Sequence, residues 1–205
     1  KCMIGLLMPD EGQIFFDNQD FNPLEKKEKR LLRQEIGMLF QGGALFDHLT
    51  VKQNIEFSLT MFTAMSEQEK SDRVEFCLNR VNLPNSQNLL PSELSGGMVK
   101  RVAIARAIAT NPKYLFCDEP NSGLDPQTAI IIDNLIHEIT QEYNMTTVVN
   151  THDMNSVIEI GDNIVFVHEG YVKWNGTKET IMSSDSQKLN DFVFASQLFQ
   201  KLKKG

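Results

Sequence analysis

A chain of 205 residues can bury one sizeable core, and its 41% apolar content is ordinary for such a domain. No stretch approaches the run of about 20 apolar residues that a membrane helix needs, and the opening KCMIGLLMPDEG lacks the length and the small-residue cleavage site of a signal peptide. The formal charge of -7 argues against a nucleic-acid binder, which would carry a basic face.

QIFFD (13 to 17), after the turn signal PDEG, reads as a short strand, and EIGMLFQ (35 to 41) as a second one ending in a polar residue. Between them EKKEKRLLR interleaves acids with bases, the pattern of a solvated surface helix. Ser66 lies three residues before Glu69, the spacing of a capping box, and Val74, Cys77, Leu78 and Val81 repeat at helical spacing, so 66 to 82 is expected to be an amphipathic helix. Pro84 and Pro91 bracket the loop that follows, and residues from about 45 to 95 read as a helical insert.

The second half alternates strand and helix. YLFCD (114 to 118) precedes a helix from Pro126 to Tyr143, whose proline suits the first turn and whose Ile132, Leu135, Ile136 and Ile139 share one face. TTVVNT (146 to 151) is a further strand, 154 to 160 a short helix, and NIVFVHEGYVKW two strands about a Glu169-Gly170 turn. This is a βαβ pattern, an α/β protein with a mostly parallel sheet. Cys2, Cys77 and Cys117 sit among apolar neighbours without metal-like spacing and read as buried thiols, and the LKKG tail (202 to 205) as a frayed end.

Five short stretches can carry chemistry. YLFCDEP runs an apolar strand into Asp118 and Glu119 at its carboxyl end, where open α/β sheets place ligands. Asp118 could hold Mg2+ directly or through water, and Glu119 could polarise an attacking water. THD (151 to 153) repeats the device with His152, and Gln41 ends EIGMLF with an amide able to touch both a metal and a neighbouring loop. In NSGLDP, Gly123 allows a turn and Asp125 can cap the next helix. In LSGGM (94 to 98), Ser95, Gly96 and Gly97 offer a hydroxyl, unobstructed backbone N–H groups and the positive end of a helix to an anion. Each alone has a plainer reading: a strand-end turn, a structural histidine, a helix cap. Together, in this order, they form a stronger signal.

The ordered set Gln41, LSGGM, YLFCDEP, SGLD and THD resembles the nucleotide-binding subunit of an ATP-binding cassette (ABC) transporter over essentially the whole chain, with a P-loop NTPase-like ABC ATPase fold across 1 to 205 and the 45 to 95 insert as its helical subdomain. The resemblance implies ATP and Mg2+ as ligands. It makes Gln41 the Q-loop glutamine, 94 to 98 the signature loop, Asp118 the Walker B aspartate, Glu119 the catalytic base, Asp125 a D-loop residue and His152 the switch histidine. It also implies a head-to-tail dimer in which one signature loop closes on the partner's nucleotide, and an integral membrane permease that places the protein on the cytoplasmic face of the inner membrane.

Two departures stand out. Met98 replaces the family's usual glutamine, and with FQGGALFDHLTVKQNI and PSELSGGM it resembles the ATPases of Mla/Mce-type bacterial lipid transport systems. No lysine follows a glycine, so the phosphate-binding pattern G-x-x-x-x-G-K-[ST] is absent. KCMIGLLMPDEG resembles the helix just after that loop, which implies an amino-terminal truncation and poor ATP binding by these residues alone. A soluble ABC ATPase of DNA repair or translation, or a non-catalytic fragment, are the alternatives. The chain length leaves no space for the coiled-coil insertion or second cassette of the former, and Glu119 and His152 speak against the latter.

Overall fold

The computed structural model describes residues 1–193 and divides into two compact units, Lys1–Asn150 and Thr151–Gly205. The LKKG tail lies outside the described residues.

In the first unit β1 (Phe15–Phe16) and β2 (Gln19–Asp20) form a small antiparallel hairpin. The strand expected over 13 to 17 is cut short because the chain reverses at Asp17, which takes a positive φ of 50°. Then come α1 (Lys26–Gln34), β3 (Ile36–Leu39), α2 (Val51–Phe62), α3 (Glu67–Arg80) and a 3-10 turn (Pro91–Glu93). The unit is completed by α4 (Gly96–Ile108), β4 (Tyr114–Asp118), α5 (Pro126–Glu142) and β5 (Thr146–Asn150). The ends of α3 and α5 follow the sequence signals. Ser66 accepts from the Glu69 N–H while the Glu69 carboxylate accepts from the Ser66 N–H, and Pro126 opens α5 behind Asp125.

β3, β4 and β5 form a parallel sheet with β4 in the middle, in a register that sets Leu39 beside Cys117 and Asp118 beside Asn150. The period-2 alternation of β4 divides its side chains between two cores. Leu115 and Cys117 join the large cluster formed with α2 to α5, whereas Tyr114 and Phe116 pack against Phe16, Phe21 and Leu32. Burial pushes the Cys77 thiol up to about 11 and that of Cys117 up to about 12, so both stay protonated packing groups. Cys2, expected to be buried as well, is only half-buried, because it sits in the opening turn rather than under a helix.

One polar side chain holds the loop between β3 and α2. Asn54 is fully buried; its Oδ1 accepts from the Phe46 N–H at 2.8 Å, and its Nδ2 reaches the carbonyls of Phe46, Leu49 and Thr50 at 3.0 to 3.1 Å. Asn54→Ala in the full-length protein should cost about 3 kcal/mol, since each buried partner left unpaired costs about 1–3 kcal/mol. Urea unfolding checks this: the midpoint should fall with an unchanged slope, and a loss below about 1 kcal/mol would mean that the loop does not depend on Asn54.

The second unit holds α6 (Met154–Ile160), β6 (Ile164–His168), β7 (Tyr171–Gly176), α7 (Lys178–Ile181) and α8 (Gln187–Val193). β6 and β7 pair as a hairpin whose turn is Glu169-Gly170, as the sequence leads one to expect, with φ of 51° and 79°. Met154, Ile181, Leu189 and Val193 form its own small core. Among the described residues no helix is long and apolar enough to cross a membrane.

Candidate functional site

The carboxyl ends of the parallel strands gather the polar groups. Asp118 ends β4, and Asn150, its register partner on β5, donates from Nδ2 to Asp118 Oδ1 at 2.8 Å. One carboxylate oxygen is thereby fixed, and with it the direction of the other. Glu119 continues the ladder, its N–H donating to the Asn150 carbonyl at 2.8 Å, but with φ of 48°. A non-glycine residue in the left-handed region carries strain of order 1–3 kcal/mol, and such strain concentrates at functional sites. The turn carries Glu119 off the line of the strand immediately after Asp118.

Gln41 does not end its strand. β3 stops at Leu39, and Gln41 lies in the turn closed by the Gly43 N–H donating to the Phe40 carbonyl at 2.8 Å. Gly42 and Gly43 are the reason the strand stops. Gly43 has φ of 76°, and a Cβ there would come within 2.9 Å of Val99 Cγ1, so only glycine lets the turn lie against α4. The Gln41 side chain donates from Nε2 to Ser122 Oγ at 3.2 Å, which realises the contact with a neighbouring loop expected from its amide.

Ser95 caps α4, its Oγ accepting from the Met98 N–H at 3.3 Å. Ser95 and Gly96 are exposed. Gly97 has a packing role besides: a Cβ there would lie 2.7 Å from Thr128 Cγ2 on α5. Met98 is half-buried against the large core, so its thioether packs where the family's glutamine would offer an amide. Asp125 caps α5, with Oδ1 accepting from the N–H groups of Gln127 at 3.1 Å and Thr128 at 3.0 Å. The Thr128 hydroxyl, and then these amides, hold its carboxyl below the usual range. His152 belongs to the second unit, in the loop before α6, and is exposed.

Mg2+ takes one or two carboxylates and completes its shell with water and substrate phosphate. Asp118, the last residue of β4, and Gln41, in the turn after the adjacent β3, offer a carboxylate and an amide oxygen, hard donors that fit this ion. Among the described residues there is no group of three His, Cys, Asp or Glu side chains that would form a metal site without such help.

Two contributors escape the motif reading. Asn150 was legible only as a strand residue, yet it shares with Asp118 the place of last residue on adjoining strands. Lys100 is 4% exposed and donates from Nζ to the carbonyls of Gln41 and, at 3.2 Å, Glu119. A signal for it existed: Ala103, Ile104 and Ala107, at helical spacing from Lys100, form the buried face of α4.

Residues 1–122 match the family model described as ABC transporter. The chain is 40% identical over 201 residues to the methionine import ATP-binding protein MetN 1 of Oceanobacillus iheyensis, covering 98% of this chain and 59% of that one. It is 37% identical over 193 residues to the intermembrane phospholipid transport system ATP-binding protein MlaF of Haemophilus influenzae, covering 94% and 73%. A dimeric, post-hydrolysis structure of the ATP-binding cassette MJ0796 bound to ADP and Pi superposes with a TM-score of 0.78 at 35% identity, over 86% of this chain and 78% of that one. The chain thus spans about three fifths of the methionine import relative. With the fold of such cassettes and polar groups at the strand ends, it belongs to the ABC transporter family.

Proposed function

We propose that the full-length protein is the ATP-hydrolysing subunit of an ABC transporter, that it works as a head-to-tail dimer on the cytoplasmic face of the inner membrane, and that its cargo is lipid. The observation carrying the catalytic part is the pairing of Asp118 and Glu119 with Asn150 at the ends of β4 and β5, with Gln41 in the turn just past the adjacent β3. Mg2+, when bound with ATP, neutralises phosphate charge. Asp118 and Gln41 would hold it, Asn150 orients the carboxylate, and Glu119 takes the proton of the attacking water. His152 keeps the switch role that the resemblance gives it. Ser95, Gly96 and Gly97 face the partner's nucleotide with a hydroxyl and helix N–H groups, and Asp125, in the family's D-loop, lies near the same dimer contact.

A membrane partner is supported by a groove of about 260 Å³ whose walls include Met38, Phe40, Phe46, Phe57, Phe62 and Arg106. Phe46 and Phe57 stay 37% and 45% exposed while their rings meet at a tilt of 56°, centroids 4.8 Å apart, an apolar surface beside the Gln41 turn. We assign the groove to a cytoplasmic segment of the permease. Leu45, next to Phe46 in sequence, packs against the core, and a substitution there would report on folding instead.

Lipid as cargo is supported by Met98 and by 37% identity to the phospholipid system; 40% identity to the methionine system supports an amino acid as the second reading. One experiment addresses both parts. With the permease in vesicles, the wild-type protein should drive transfer of labelled phospholipid, and Phe46→Asp should abolish it while basal ATP hydrolysis stays within about twofold, a purely uniform effect being excluded. Uptake of methionine without lipid transfer would move the cargo to the second reading, and full transfer by the variant would remove the groove from the interface.

A further inference from the structure

Two of the three cations of α4, Lys100 and Arg106, donate to the loop after β3, while Arg101 turns to the Asn82 carbonyl. Arg106 donates from Nη1 and Nη2 to the carbonyls of Ala44 and Gly43, each at 2.7 Å, and Lys100, six residues earlier, donates to the carbonyl of Gln41. The same Lys100 ammonium reaches the carbonyl of Glu119 at 3.2 Å. Two turns that follow different strands therefore converge on a single buried side chain carried by the helix that begins with Ser95.

Burying an ammonium costs free energy unless its donors are used. A fold that needed only packing at this point would be served by leucine or methionine. Desolvation does hold the pKa of Lys100 below the ordinary lysine value, and the charges of Glu119 and Asp118 oppose it. The strained φ of Glu119 adds to the cost, and a strained turn persists only where its surroundings hold it.

We infer that Lys100 is a positioning residue for hydrolysis: it fastens the Gln41 turn and the Glu119 turn to the signature helix, so that a displacement of that helix moves both together. The inference rests on the proposed ATPase reading and deepens it. Ser95, at the start of α4, meets the nucleotide of the other subunit, whereas Lys100, one turn further along, holds the groups that act on the nucleotide of its own. Engagement of one site is thereby transmitted to the geometry of the second through α4, without any contact of Lys100 with substrate.

The test compares Lys100→Met, close in shape but without donors, with Lys100→Gln, which keeps donors on a stem one atom shorter, both in the full-length protein. In Lys100→Met, kcat for ATP should fall at least about tenfold, within the roughly 10²-fold that a 1 Å misplacement can cost. KM should stay within about twofold, because the interaction is not made with substrate. Lys100→Gln should lie between that variant and the wild type. Thermal melting identifies which variants fold. A folded Lys100→Met with wild-type kcat overturns the inference, as does a fall in kcat matched by an equal rise in KM. If Lys100→Met fails to fold, Lys100→Gln decides: reduced kcat at unchanged KM supports positioning, while wild-type kcat, or failure of both to fold, makes Lys100 a folding residue and overturns it. Glu119→Gln, run alongside, separates this outcome from the larger reading. If the wild type hydrolyses ATP and Glu119→Gln does not, a neutral Lys100→Met counts against the positioning role alone.

Discussion

Replacing Glu119 with glutamine in the full-length protein is expected to lower ATP turnover by at least about 10²-fold, the loss typical of a missing general base. That is about 2.7 kcal/mol of transition-state stabilisation, at 1.36 kcal/mol per tenfold change. Glutamine keeps the size of the side chain and can still accept and donate hydrogen bonds, but it cannot take up a proton. Nothing in the backbone has to change: the Glu119 N–H to Asn150 carbonyl bond and the Lys100 bond to the Glu119 carbonyl are made by main-chain atoms that glutamine also has. ATP binding is therefore expected to persist, and the nucleotide-bound dimer to accumulate, visible as a larger species in size-exclusion chromatography with ATP. Turnover within about threefold of wild type would remove Glu119 from the chemistry, because a lost base costs far more than that.

The second large effect is expected at Ser95. The residue is exposed and its side chain accepts the capping bond from the Met98 N–H, while its carbonyl bond from the Val99 N–H is made by main-chain atoms that arginine also has, so Ser95→Arg should cost the fold no more than the roughly 1 kcal/mol of a lost cap. In the proposed dimer it would put bulk and charge where the other subunit's γ-phosphate has to lie. Dimerisation with ATP and steady-state turnover should both fail, while the affinity of the monomer for ATP stays nearly unchanged. Equilibrium titration of a fluorescent ATP analogue, combined with sedimentation, separates the two quantities. A tenfold loss of monomer affinity, about 1.4 kcal/mol, would place the loop at the nucleotide of its own subunit and not at the partner's.

What the sequence allowed one to read follows the physics of short-range signals. The capping box at Ser66, the proline opening α5 and the Glu169-Gly170 hairpin are fixed by residues within a few positions of one another, and all three are found where expected. Asp118 and Glu119 were legible because an apolar strand running into acids is a local pattern as well. The second strand of the amino-terminal hairpin, Gln19–Asp20, was not, because two polar residues show no period. Gln41 was assigned to a strand end by the apolar run before it; the turn set by Gly42 and Gly43 took it out of the strand. Lys100 and Asn150 were missed for a different reason. Their roles depend on partners 59, 19 and 32 residues away, which local pattern does not encode. Lys100 in particular looks like one more surface charge until the burial of its helix face is known.

The central claim is that hydrolysis needs two copies of the chain, each completing the site of the other. It is tested most directly by the rate of phosphate release from the full-length protein at saturating Mg-ATP, measured across a dilution series whose oligomeric state is followed by sedimentation. The rate per subunit should fall as the protein is diluted into monomers and recover on concentration, with Glu119→Gln inactive throughout. A constant rate per subunit from a protein that sediments as a monomer would contradict the account.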